Sequence, residues 1–187
     1  MKFNEFYSLT IVHSRDIILV KGVDYMNITK QKSQKTFDKQ AADYDTNIQG
    51  EHARKLYKPI IENLKNKNIH SILDLGCGTG ALLKEIKELN IAEQLFGIDI
   101  SPNMLEIAKN KLGNDATLIL GDSERLPFED SSFDAIVCND SFHHYPQPDI
   151  VEKEVSRCLK QNGVFIIGDC WQPIGARQIM NYYMKHS

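Results

Sequence analysis

Asp74-Leu75-Gly76-Cys77-Gly78-Thr79-Gly80 is the stretch that decides the fold. Upstream, Ser71-Ile72-Leu73 is apolar and β-prone; downstream, Leu82, Leu83, Ile86 and Leu89 fall on one helical face. The reading is strand, tight glycine turn, helix. Glycine has no Cβ, so the backbone can approach a ligand closely, and the start of the helix offers unpaired N–H groups. Such a turn suits a nucleotide-like ligand at the carboxyl end of a parallel strand. The glycines alone do not choose the ligand, because dinucleotide-binding proteins use a similar turn. Asp74 does choose. A carboxylate two residues before the first glycine repels a pyrophosphate and attracts a ligand bearing positive charge.

The other strand ends repeat the pattern. Leu95-Phe96-Gly97-Ile98 runs into Asp99, and Thr117-Leu118-Ile119-Leu120-Gly121 runs into Asp122. Ala135-Ile136-Val137-Cys138 runs into Asn139-Asp140, and Val164-Phe165-Ile166-Ile167-Gly168 runs into Asp169. In a doubly wound sheet these ends line one crevice, which is therefore acidic. Asp99 stands where a carboxylate can accept two ribose hydroxyls, and Asp122 where it can meet an adenine amino group. Helix capping is the competing role for such residues, and for Asp140 and Asp169 it is an equal reading.

Three segments together carry a family resemblance: Asp74 to Gly80, Gly97-Ile98-Asp99-Ile100-Ser101, and Gly121-Asp122-Ser123-Glu124-Arg125-Leu126-Pro127-Phe128. They resemble class I S-adenosylmethionine-dependent methyltransferases. Residues 126–134 followed by Phe142-His143-His144 are similar to the type 11 group, which includes ubiquinone and menaquinone C-methyltransferases. The resemblance spans roughly residues 37–171. Its implied cofactor, S-adenosylmethionine, carries an ammonium and a sulfonium beside one carboxylate and no phosphate, which agrees with Asp74. The implied fold is an α/β, Rossmann-like three-layer sandwich with a mostly parallel sheet in the methyltransferase order. The implied cofactor-binding residues are Tyr44, Asp74, Gly76, Cys77, Gly78, Thr79, Gly80, Asp99, Ile100, Met104, Asp122, Ser123 and Asn139. Tyr44 belongs to a helical lid that also includes Phe37-Asp38, Ala41 and Asp45. One departure is Lys160-Gln161-Asn162-Gly163, where the family more often has a Pro-Gly-Gly turn; Asn and Gly still make a competent turn.

The chain has 187 residues, 42% of them hydrophobic, enough to bury a core without disulfides or metals. Its net charge of −3 and the lack of a Lys/Arg block give no support to a nucleic-acid partner. Lys30, Lys32 and Lys35 read as a solvated helix face. No apolar run reaches the length of a membrane span. Cys77, Cys138, Cys158 and Cys170 form no C-x-x-C pair, and His143-His144 lacks zinc-ligand spacing, so reduced thiols, a cytoplasmic location and no metal are expected.

The expected organisation is an extension at residues 1–25, the lid region at 26–66 and the cofactor-binding domain at 67–187. Leu9-Thr10-Ile11-Val12 and Ile17-Ile18-Leu19-Val20 could pair as a hairpin within the extension. Two amphipathic helices should precede the first domain strand: one carrying Phe37, Ala41 and Tyr44, the other around residues 53–64 and disturbed by Pro59. Ser101-Pro102 should open a further helix that turns Met104 toward the ligand, and Val151, Val155, Cys158 and Leu159 mark another. A last helix is expected at 174–185. The family's final two strands have no counterpart after it, so the Val164–Ile167 strand should be an open apolar edge, prone to truncation effects or homodimer pairing.

The chemistry asks little of the protein, because methyl transfer is a displacement that positioning can accelerate. His143 and His144 are candidate bases, with loop structure as the stronger alternative. The expected acceptor is a small molecule. A nicotinamide-dependent oxidoreductase, disfavoured by Asp74, and a cofactor-binding protein with an incomplete substrate site are the alternatives.

Overall fold

The five apolar runs that stop at acidic residues become five parallel strands. The computed structural model describes residues 6–12 and 24–171. Strands β2 (Ile69–Leu75), β3 (Ala92–Asp99), β4 (Ala116–Leu120), β5 (Phe133–Asn139) and β6 (Leu159–Trp171) alternate with α3 (Ala81–Glu88), α4 (Pro102–Leu112) and α5 (Pro148–Cys158). Ahead of them lie β1 (Phe6–Val12), α1 (Asp24–Gln40), a 3-10 turn at Ala41–Asp43 and α2 (Ile48–Leu64). The sheet order is β1-β6-β5-β2-β3-β4. All neighbours from β6 to β4 are parallel, and β1 alone runs antiparallel.

Strand β2 is buried on both faces because successive side chains enter different cores. Ile72 packs with Leu56, Ile60, Leu83 and Ile86 on one face of the sheet. Leu73 packs with Ile136, Val151, Val155 and Phe165 on the other, giving three layers. Phe96, Phe128 and Phe133 close the second core with edge-to-face contacts at centroid distances of 4.9–6.0 Å. Ser101 caps α4 as expected, its side chain accepting from Met104 N–H, and Pro102 takes the first turn.

Four expectations need correction or a limit. The Val164–Ile167 strand is not an open edge, so the edge through which a homodimer was expected is already taken. Residues Phe6–Val12 pair antiparallel along that edge, from Phe6 opposite Trp171 to Val12 opposite Phe165. Periodicity could identify residues 9–12 as a strand but not its distant partner. Lys160 to Gly163 do not form a separate turn: they lie within β6 as an irregularity where the β5 register jumps, with Asn162 at φ 67°. Helix α2 starts before residue 53 and runs through Pro59, its N-cap being Asn47, whose side chain accepts from Gly50 N–H. The second hairpin run at 17–20 and the helix at 174–185 fall outside the described residues.

The amino ends of three strands are tied by one side chain. Asp134 Oδ2 accepts from the backbone N–H of His70 and Ser71 at 3.0 and 2.8 Å, and Lys160 Nζ lies 3.0 Å from both carboxylate oxygens. Replacing Asp134 by Ala leaves two strand donors and an ammonium without this partner. The expected loss is about 1–3 kcal/mol, read as a lower urea midpoint with an unchanged slope.

Candidate cofactor and active site

The turn after β2 is built from left-handed residues. Gly76, Gly78 and Gly80 have φ of 74°, 52° and 73°. A Cβ on Gly76 would lie 2.1 Å from Ser141 Oγ, and one on Gly80 2.8 Å from Leu112 Cδ1. A Cβ on Gly78 would meet nothing within 4 Å. Gly76 and Gly80 are therefore required by packing, whereas Gly78 borders open space. Asp99 braces this loop: Oδ2 accepts from Gly78 N–H and Oδ1 from Ser101 N–H, each at 2.8 Å.

Helix α1 and the segment that follows it are bonded to the same loop. Ser101 Oγ donates to Asp38 at 2.6 Å. Thr79 Oγ1 donates to Asp45 at 2.5 Å, and Lys111 Nζ pairs with the other Asp45 oxygen at 2.7 Å. Lys30 reaches farther, to Asp122 at 2.6 Å and Glu124 at 2.5 Å. Lys30 is thus no part of a solvated face: its side chain is 18% exposed, while Lys32 and Lys35 do face solvent.

Between this helical segment and the loop lies a cavity with about 910 Å³ of empty space, its open mouth included. Its wall contains Tyr44, Asp74, Gly76, Cys77, Gly78, Thr79, Asp99, Ile100, Met104, Asp122, Ser123 and Asn139, all singled out from the sequence, together with His144. Gly80 and His143 do not line it. Among the described residues, four buried acceptor atoms lack a hydrogen-bond partner: Asp74 Oδ1, Glu124 Oε1, Asn139 Oδ1 and Asp140 Oδ1, and their residues all belong to the wall. A cavity with unpaired oxygens and several carboxylates fits a ligand that brings donors and positive charge. Burial, reinforced by Asp99, pushes the Asp74 carboxyl up to about 8. Burial also pushes the Cys77 thiol up, so Cys77 is a packing residue and not a nucleophile.

At the far end of the cavity the two histidines separate in role. His143 Nδ1 lies 2.6 Å from Asp169 Oδ1, and its N–H donates to Asp169 Oδ2 at 3.0 Å. Burial acts to lower its pKa, but Asp169 and Asp140 outweigh that and raise it. Burial, then the neighbouring His143, lowers His144 to about 4, leaving a neutral ring edge-on to Phe37 at 5.1 Å. Burial, then Asp140 and Asp99, lift the Tyr44 hydroxyl to about 12. Asp140, His143 and Asp169 each place a ligand-type atom within 4.8 Å of the others, although their spacing in sequence gave no metal signature.

Several wall residues were not identified from sequence. Tyr145 and Ser141 hydroxyls lie 2.6 Å apart and both reach the Leu75 carbonyl beneath the glycine turn. Their four-residue spacing is the signal, but it has meaning only once residues 142–144 form a 3-10 turn. Glu124 and Lys30 are 94 residues apart, and no local pattern announces their contact.

Residues 73–167 match the family profile described as a methyltransferase domain. The chain is 32% identical over 163 residues to a demethylmenaquinone methyltransferase of Thermotoga maritima, covering 84% of this chain and 71% of that protein. The crystal structure of YcgJ from Bacillus subtilis superposes with a TM-score of 0.61 at 27% identity, over 66% of this chain and 54% of that one. A phosphoethanolamine N-methyltransferase of Haemonchus contortus, solved with phosphoethanolamine and S-adenosylhomocysteine, shares the fold at 17% identity with a TM-score of 0.67. It covers 79% of this chain, which in turn spans 34% of its length. The chain thus spans about half or less of these two solved proteins.

The buried Asp74 makes a pH-dependent prediction. Its folded pKa of about 8 lies above its ordinary value of 3.8, so its ionisation opposes folding increasingly as pH rises from 4 to 8. Asp74→Asn should raise Tm relative to the parent chain, with a gap that widens across that window. A gain of about 1 kcal/mol corresponds to roughly 2–4 °C in a chain of this size. Thermal melts at pH 5 and pH 8 measure the gap.

Proposed function

The chain belongs to the methyltransferase domain family, and we propose that it transfers a methyl group from S-adenosylmethionine to a small-molecule acceptor. One observation carries the reading: Asp74, 2% exposed with an unpaired oxygen, stands beside Asp99 on the wall of a cavity that opens at Gly78. Such a carboxylate is costly to bury alone and becomes favourable when a cationic group meets it.

When bound, S-adenosylmethionine supplies an electrophilic methyl on a sulfonium. Asp74 would hold its ammonium, and the Gly78 backbone would lie against the ligand. Asp99, already fixed by two N–H groups, would accept the ribose hydroxyls. Ile100 and Met104 would flank the adenine, with Asp122, Ser123 and Asn139 completing the polar contacts. Asp122 shares one oxygen with Lys30 and the other with the Glu124 N–H, so it would offer the adenine amino group its remaining lone pairs. Residues 26–66 act as a lid, with Tyr44 over the cavity. Closing that lid orients the acceptor and excludes water, which is most of what an in-line displacement requires.

The acceptor is a small molecule, as in the menaquinone-type relative. The buried free thiols Cys77, Cys138 and Cys158 are consistent with a reducing, cytoplasmic setting. Among the described residues no helix is long and apolar enough to cross a membrane.

Titration calorimetry with S-adenosylhomocysteine tests the assignment. The parent chain should bind it and ignore NAD. Asp99→Ala should weaken binding by about 10- to 100-fold, the effect of losing a charge-assisted acceptor. Gly78→Val places a branched side chain in the open space at a left-handed φ and should abolish binding. NAD binding with no response to S-adenosylhomocysteine would overturn the reading.

A further inference from the structure

We propose that Asp140 is the residue that engages the methyl acceptor, accepting a hydrogen bond from an O–H or N–H on, or conjugated with, its nucleophilic atom and taking that proton. This deepens the reading above and rests on it. Three observations converge on Asp140. Its φ is 52°, a left-handed conformation that Asp tolerates but does not prefer. Its N–H donates to the Gly168 carbonyl at 2.6 Å, which pins that conformation at the carboxyl end of β5. Its Oδ1 is buried in a cavity-wall residue with no partner. A strained backbone that holds an unpaired carboxylate oxygen toward a cavity is the arrangement expected of a ligand contact.

The neighbours leave this role to Asp140 and not to the histidines. His143 is engaged with Asp169, whose carboxylate takes its Nδ1 and holds its pKa above the ordinary value, so it is not a free base. His144 is neutral and packed edge-on to Phe37, so it offers surface. Burial and Asp169 lift the Asp140 carboxyl to about 6, against the opposing pull of His143 and His52, so it is ionised yet able to hold a proton near neutrality. Phe37, Tyr44 and His144 form an aromatic wall at the same end, suited to a planar or apolar body. The step balances without another reactant. An acceptor lone pair, or the carbon made nucleophilic by the departing proton, forms the new bond to the methyl carbon. The carbon–sulfur pair stays on sulfur, which becomes a neutral thioether, and the proton goes to the Asp140 carboxylate.

The test uses the full chain saturated with S-adenosylhomocysteine and two probe pairs that differ only in a donor: phenol against anisole, and aniline against N,N-dimethylaniline. Ligand-observed NMR titration gives each dissociation constant. We expect a donor-bearing probe to bind about tenfold more tightly than its capped partner. Asp140→Gly should bring that ratio close to one, since Gly adopts the same left-handed backbone and carries no acceptor. Calorimetry with S-adenosylhomocysteine on both proteins reports whether the cofactor end is intact. No preference in the parent chain, or a preference that survives in Asp140→Gly, overturns the proposal. A preference that needs added Mg²⁺ and vanishes with EDTA also overturns it, assigning the Asp140, His143 and Asp169 cluster to a cation. If the parent chain does not bind S-adenosylhomocysteine, the cofactor reading itself fails, an outcome distinct from the other three.

Discussion

One carboxylate organises this site. Asp99 ends β3, yet its oxygens hold the N–H of Gly78 in the β2 turn and of Ser101 at the start of α4. Ser101 passes the connection to Asp38 in α1. Three segments that are remote in sequence therefore share one set of hydrogen bonds. It adds to the Ile98 carbonyl, which accepts from the N–H groups of Gly76 and Cys77 at 2.9 and 3.0 Å and ties the glycine turn to the neighbouring strand. The parallel sheet makes this possible, because every strand delivers its last residue to the same edge.

The same edge concentrates negative charge to the point of cost. Asp74, Asp99 and Asp140 all have carboxyls lifted by burial, while Lys30 supplies a positive partner only at the Asp122 and Glu124 end. The wall is therefore polarised along its length: partly neutralised where α1 crosses it, while among the described residues no salt bridge reaches Asp74 or Asp99 at the glycine turn, where Lys111 pairs with Asp45 instead. A ligand whose own positive charge sits toward one end would be oriented by that gradient before any shape fit is made. Stability given up to hold these groups is a common feature of binding sites.

Most of this was legible in the sequence, for a physical reason. A strand that ends on an acid followed by alternating glycines encodes its geometry locally, so the turn and the acidic strand ends could be read directly, whereas the strand order and residues such as Ile100, Met104 and Ser123 followed from the family resemblance. What escaped were decisions made across distance. The Lys30 contacts depend on how α1 crosses the crevice, and a lysine on a helix looks solvated until that crossing is known. Asp140 looked equally suited to capping, and only its φ and its missing partner separate the roles. The partner of residues 6–12 could not be named, because any strand edge with the right spacing would satisfy its pattern.

That last pairing has a consequence for how the chain is made. Among the described strands β1 is synthesised before the others, and its mate, residues 165–171, after them. The parallel sheet must form around β2, β3, β4 and β5 while β1 waits without its partner, and the clasp at β6 closes last. Contacts between such distant segments are slow to form because the intervening loop must be closed first. During that interval β1 and the β6 edge are both unpaired, which makes this step, and not the glycine turn, the point at which nascent chains are most exposed to mispairing with one another.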